Sequence, residues 1–223
     1  MVDFPGRLAA VVFLGGCNFR CPFCYNVDLV LPERLSRLKD LPPEEVIKEL
    51  KRRENFITGV VITGGEPTLY KNLLRSFLEV IRSETPLDIK LDTNGSQPDV
   101  LESLSKEALL DYVALDFKTS PSRYAELRGD FKAIEESLNI LQKNQISYEI
   151  RITAVPAFIS FEELKELLPY FKGAKLVALQ RFMNEYERLA PEKDLGVYGP
   201  KELKELKLFL EENLSVPVEL RNV

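Results

Sequence analysis

The sequence predicts an α/β fold of six strand–helix units curled into a partial, open (β/α)6 barrel. Short apolar runs alternate with amphipathic segments along the chain. Several of these runs are near-continuous hydrophobics (Val60-Val61-Ile62, Val113-Ala114-Leu115, Leu176-Val177-Ala178-Leu179), the pattern of parallel strands covered on both faces. Six units are fewer than the eight of a closed barrel, so the sheet should stay open.

The strands are expected at Leu8–Leu14, Gly59–Thr63, Leu87–Asp92, Tyr112–Phe117, Tyr148–Ala154 and Lys175–Gln180. After the first, Pro42-Pro43 opens a helix with Glu44 and Glu45 in its first turn, where carboxylates complement the helix dipole. After the fourth, Phe131, Ile134, Leu138 and Leu141 share a helical face. After the fifth, Ser160 and Glu163 form a capping-box pattern ahead of Leu164, Leu167, Leu168 and Phe171. Pro169 should bend or shorten that helix and Gly173 close it. Gly199-Pro200 opens the last helix, with Leu203, Leu206, Leu210 and Leu214 in one stripe. Residues 216–223 can add an edge strand. With no break in composition, the expected organisation is a single domain over 1–223, its core at about 7–180 and completed by 199–223. Functional loops of such folds lie at the C-terminal ends of the strands.

The chain has 223 residues, 45% of them hydrophobic, and a net charge of −5. That charge argues against sequence-independent nucleic-acid binding, which depends on a basic surface. Leu8–Leu14 is far shorter than the roughly 20 residues of a membrane span, and no basic leader precedes it. The expectation is a cytoplasmic protein with no membrane partner. Histidine is absent, which removes the commonest general base and the commonest metal ligand.

All three cysteines lie within eight positions, as Cys17, Cys21 and Cys24 in the spacing C-x3-C-x2-C. A disulfide framework would use an even number spread along the chain. Three thiolates on one loop can bind three irons of a four-iron cluster and leave the fourth open, whereas electron-transfer clusters use four cysteines. A structural zinc site would need a fourth Cys or His ligand, and the chain has neither. The second strand ends in Thr63-Gly64-Gly65-Glu66-Pro67. Two glycines let a ligand approach the backbone, and the glutamate could pair with an ammonium group. A plain β-to-α turn is the competing reading of this segment.

The cysteine loop followed by Gly64-Gly65-Glu66-Pro67 resembles the radical S-adenosylmethionine superfamily. The resemblance implies one [4Fe-4S] cluster on Cys17, Cys21 and Cys24, with the amino and carboxylate groups of S-adenosylmethionine on the open iron. It also implies that the Gly64–Pro67 segment holds the amino group and that Phe23 packs near the adenine. Asp3-Phe4-Pro5-Gly6, Asp92-Thr93-Asn94-Gly95 and Leu115-Asp116-Phe117-Lys118 resemble the glycyl-radical-enzyme activases, above all those of anaerobic ribonucleotide reductase. By that likeness Asp92, Asn94, Asp116 and Lys118 belong to the cofactor site, and Asp92 and Asp116 hold a monovalent cation beside the cofactor carboxylate. Taken alone, Asp116 and Lys118 also read as a surface ion pair. The implied partners are a glycyl-radical enzyme and a flavodoxin- or ferredoxin-type electron donor.

Arg151 or Thr153, on the fifth strand, could contact the adenosine. Tyr25 stands where many relatives carry histidine. Residues 181–199 are long for a loop in such a unit and carry Phe182, Met183, Tyr186 and Tyr198. Both a partner-docking segment and a self-packed connection fit that composition. Rival functions are a minimal radical enzyme acting on a small molecule, such as a deazaguanine-forming one, or an activase of another glycyl-radical enzyme. A non-catalytic electron carrier is the rival of another class, and it would have no use for Gly64–Pro67 or Asp116–Lys118.

Overall fold

Seven strands organise the computed structural model, which describes residues 3–222. They are β1 (Ala9–Leu14), β2 (Gly59–Gly64), β3 (Asp88–Thr93), β4 (Tyr112–Phe117), β5 (Ser147–Ala154), β6 (Leu176–Arg181) and β7 (Val218–Arg221). Each pairs in parallel with the next in chain order, and β1 does not pair with β7, so the sheet is open. The C-terminal segment therefore adds a seventh strand beyond the six units.

A helix follows each of the first six strands: α1 (Pro43–Arg53), α2 (Asn72–Glu84), α3 (Pro98–Lys106), α4 (Phe131–Lys143), α5 (Phe161–Leu167) and α6 (Pro200–Asn213). Their ends follow local chemistry. Both arms of the Ser160–Glu163 capping box are present at α5. Pro169 stops α5 early, because its ring cannot follow an α-helical turn, and Leu168–Phe171 continues as a 3-10 turn. On α6 the stripe of Leu203, Leu206 and Leu210 is fully buried, while Leu214 lies just past the helix end and is half-buried.

Both faces of the sheet are covered, as expected, but only one of them is apolar. Along each strand alternate residues face opposite sides. One set comprises Val60, Ile62, Ile89, Leu91, Val113, Leu115, Phe117, Ile150, Ile152, Val177 and Leu179, all fully buried in one core with the apolar faces of the helices. Each such side chain contributes about 1.5–3 kcal/mol by leaving water. The other set shares a face by register: Lys90 beside Tyr112, Ala114 beside Glu149, Asp116 beside Arg151, Ala178 beside Glu219. This inner face is charged yet largely buried, with Lys90 and Glu149 wholly out of solvent.

Asp3-Phe4-Pro5-Gly6 closes the inner face at the N-terminal ends of the strands. Phe4 is buried with its ring 5.8 Å from that of Tyr112, and the Asp3 carbonyl accepts from Lys90 Nζ at 2.6 Å. Among the described residues no helix is long and apolar enough to cross a membrane.

Candidate active site

β1 runs into the cysteine loop and β2 into the Gly-Gly-Glu-Pro loop, and backbone bonds join the two. Gly65 N donates to Leu14 O at 2.8 Å and Glu66 N to Gly16 O at 2.8 Å. Gly64 adopts φ +129, a region that L side chains rarely enter, and a Cβ at Gly65 would collide with the Gly16 carbonyl. The glycines are thus required by the junction itself as well as by any ligand.

Around the thiols the loop is held from every side. Arg20 donates to the carbonyls of Cys17 and Phe19 at 2.6 and 2.8 Å, and Cys24 N donates to Cys21 O at 3.0 Å. Asn94 at the end of β3 donates to Asn18 Oδ1 at 3.0 Å and approaches Cys17 Sγ at 4.0 Å. Residues 181–199 fold back over the loop: Leu189 N and Ala190 N donate to Cys24 O and Pro22 O, each at 3.2 Å. Tyr25 accepts from Met183 N, stacks on Phe182 at 5.7 Å and meets Tyr186 edge-on at 5.6 Å. Tyr25 therefore packs against both Phe182 and Tyr186.

A cavity of about 160 Å³ opens among these loops. It is lined by Cys17, Cys21, Cys24, Phe23, Tyr25, Gly64, Gly65, Asp92, Asn94, Asp116, Lys118, Arg151 and Thr153, with others. Residues singled out on four strands and the cysteine loop thus converge. Two do not line it: Glu66 and Pro67. Glu66 is fully buried, and its carboxylate accepts from Thr68 N (3.1 Å), Thr68 Oγ1 (2.5 Å), Thr93 Oγ1 (2.7 Å) and Asn94 N (2.6 Å). It ties β2 to β3 and caps the 3-10 turn that Pro67 opens. Oε1 accepts three of these bonds and Oε2 one, and the glycine backbone, not this carboxylate, lines the cavity. Burial pushes the Glu66 carboxyl up against the pull of these donors.

Below the cavity the inner face carries a continuous chain of opposite charges. Arg221 pairs with Glu149 at 2.8 Å, Glu149 with Lys90 at 3.2 Å, and Lys90 with Asp92 Oδ1 at 2.9 Å. The Lys90–Asp92 contact is a charge contact without hydrogen-bond alignment. Asp92 Oδ2 accepts from Arg151 Nη1 at 2.5 Å, Arg151 Nε donates to Asp116 Oδ1 at 2.8 Å, and Asp116 Oδ2 faces Lys118 Nζ at 3.0 Å. Asp116 and Lys118 are therefore the upper end of a buried network, not an isolated surface pair. Burial alone would lift the Asp116 carboxyl, but Arg151 and Lys118 hold it well below the usual carboxylate range. Burial pushes Cys21 up to about 12, and raises Cys17 and Cys24 too, while the Lys118 charge pulls all three down.

The Arg151 guanidinium lies between Asp92 and Asp116, where the family likeness implies a monovalent cation. Lys90, Glu149 and Arg221 were missed in the sequence. Their signal is an acid and a base two residues apart on four strands: Lys90/Asp92, Asp116/Lys118, Glu149/Arg151 and Glu219/Arg221. In a strand, that spacing puts both charges on one face.

The radical SAM superfamily model matches residues 11–170. A Methanocaldococcus jannaschii protein, provisionally described as a glycyl-radical enzyme activating enzyme, is 33% identical over 92% of this chain and 85% of its own length. The pyruvate formate-lyase-activating enzyme of Streptococcus mutans is 30% identical over 91% of this chain and 77% of its own. Streptococcus suis SuiB bound to S-adenosylmethionine superposes with a TM-score of 0.72 at 16% identity, covering 96% of this chain and 50% of SuiB, a likeness of fold. The chain spans about half the length of that solved structure. The chain belongs to the radical SAM superfamily, among enzymes of the glycyl-radical-enzyme activating type.

Proposed function

We propose that this chain, acting as one domain in the cytoplasm, cleaves S-adenosylmethionine and installs a glycyl radical on an anaerobic ribonucleotide reductase. The observation that carries the reading is the convergence of three thiols, a bare Gly-Gly backbone and the Asp116–Lys118 pair on one cavity. In this reading Cys17, Cys21 and Cys24 hold three irons of a [4Fe-4S] cluster. The donor set fits: three soft thiols from one loop line the cavity, and the chain has no imidazole. The thiols lose their protons as metal binds, assisted by the nearby Lys118 charge.

Gly64 and Gly65 leave room for the methionyl amino group, and Phe23, buried with its ring 5.3 Å from Phe158, offers a rigid apolar wall. A reduced cluster held by Cys17, Cys21 and Cys24 would supply the one electron that breaks a carbon–sulfur bond of S-adenosylmethionine, giving methionine and a 5′-deoxyadenosyl radical. Hydrogen-atom abstraction from a glycine Cα needs no general base, which suits a chain without histidine. The protein's part is binding, orientation and exclusion of water. The electron is assigned to a flavodoxin- or ferredoxin-type donor.

The test is anaerobic. Protein reconstituted with iron and sulfide and given a reductant should form 5′-deoxyadenosine from S-adenosylmethionine, and with its reductase should produce a glycyl-radical EPR signal. An intact cluster without cleavage would overturn the activity. Cleavage without a glycyl radical on the reductase would overturn the target.

A further inference from the structure

We propose that Arg151 is the built-in cation of this site, so that S-adenosylmethionine binds without a potassium or sodium ion between Asp92 and Asp116. The proposal rests on the reading that the cavity takes S-adenosylmethionine.

All four carboxylate oxygens of the two aspartates already face fixed cations. Asp92 Oδ1 lies 2.9 Å from Lys90 Nζ and Oδ2 is 2.5 Å from Arg151 Nη1. Asp116 Oδ1 is 2.8 Å from Arg151 Nε and Oδ2 is 3.0 Å from Lys118 Nζ. A monovalent ion needs several such oxygens, and here it would have to displace a guanidinium that is bound to both carboxylates by charge-assisted hydrogen bonds. Arg151 stays protonated at any accessible pH, so the replacement charge is permanent.

The rest of the network points the same way. Arg221, Lys90, Arg151 and Lys118 are matched by Glu219, Glu149, Asp92 and Asp116, so four cations already balance four carboxylates without an added ion. A further positive ion in this low-dielectric interior would be repelled by at least two neighbours. Arg221 and Glu149 hold Lys90 from behind, and Lys90 in turn bears on Asp92, so the network sets the place of the guanidinium. Arg151 Nη2 makes no hydrogen bond among the described residues, and Arg151 lines the cavity. That free donor offers a ligand carboxylate the positive charge an ion would otherwise bring.

Calorimetry on anaerobically reconstituted protein tests this, with S-adenosylmethionine titrated at equal ionic strength in potassium, sodium or tetramethylammonium chloride. The wild type should bind with Kd values within about twofold across the three salts, an effect near the limit of resolution. A Kd at least about tenfold weaker in tetramethylammonium would overturn the proposal. In Arg151→Gln the two aspartates lose their guanidinium, so affinity should fall in tetramethylammonium and recover about fivefold or more in potassium or sodium.

Sodium NMR on the protein before S-adenosylmethionine is added gives a readout independent of activity. Line broadening should appear in Arg151→Gln and be absent in the wild type, and site-specific broadening in the wild type would overturn the proposal even if the variant fails to fold. A folded Arg151→Gln that ignores all three salts would also overturn it, because Arg151 would then not be standing in for an ion. Failure of the wild type to bind S-adenosylmethionine in every salt would instead overturn the ligand reading, and this proposal with it.

Discussion

The two faces of the one sheet are built by opposite means. The helix-facing side is a continuous apolar layer, in which Ile62, Leu91, Leu115 and Ile152 are buried among helix leucines and isoleucines. On the inner side the same strands bury ions, and Lys90, Asp92, Glu149 and Arg151 are each held by partners of opposite charge. Dispersion and transfer from water are non-directional, so the apolar side tolerates small shifts of its members. A buried ion pair is strongly directional, and removing one partner strands the other. The difference explains why the inner face, and not the apolar one, can hold Asp116 and Lys118 at fixed places beside the thiols.

The largest effect is expected where the inner face opens at the cysteine loop. Cys24→Ala should lose most cluster absorbance and cleave S-adenosylmethionine only at background level, while its circular dichroism stays close to wild type. Normal iron content in that variant would count against the ligand assignment.

The comparison itself is sharpest in a matched pair. Glu149→Ala leaves Lys90 and Arg221 facing each other without their shared carboxylate, and should cost about 3–5 kcal/mol in urea unfolding. It should also weaken S-adenosylmethionine binding, since Lys90 no longer holds Asp92 against Arg151. Leu91→Ala, on the other face of β3, should cost about 2–5 kcal/mol as a cavity mutation. Its ligand affinity should not change. If both variants changed affinity equally, the division of labour between the faces would fail.

Glu66→Gln probes the tie between the two strand-end loops with a smaller effect. A glutamine places an NH2 group where Thr68, Thr93 or Asn94 now donate, so the loss should be about 1–3 kcal/mol although a buried charge is removed. Unchanged stability would mean that the carboxylate is not the acceptor hub described.

A further effect concerns pH. The Cys21 thiol is pushed from its ordinary 9.0 up to about 12 by burial, so the metal-free folded protein holds this proton more tightly than the unfolded chain does. That contribution is fully present below pH 9 and lost as pH rises from 9 toward 12. The stability difference between metal-free wild type and Cys21→Ala should narrow across this window. A constant difference would show that the thiol is not desolvated as described.

Much of this was legible from local pattern. The strand–helix rhythm, the Ser160–Glu163 cap and the early stop at Pro169 each depend on a few neighbouring residues, and so appear correctly in the sequence. The cysteine spacing and the Gly64-Gly65 turn are local in the same sense. Lys90, Glu149 and Arg221 were not seen, because each lone charge in an apolar run reads as a solvated exception until its partner is known. The partners lie 59 residues apart for Glu149 and Lys90, and 72 for Glu149 and Arg221.

By itself the sequence determined which segments become strands and helices, and it put three thiols on one loop after the first strand. Those outcomes rest on periodicity, caps and covalent spacing, which act over a few residues. Only the tertiary structure decided that Glu66 is committed to its own strand ends and that Arg151 lies between Asp92 and Asp116. The physical reason is register: parallel pairing sets Asp116 beside Arg151 and Lys90 beside Tyr112, and with it the distances over which buried charges act.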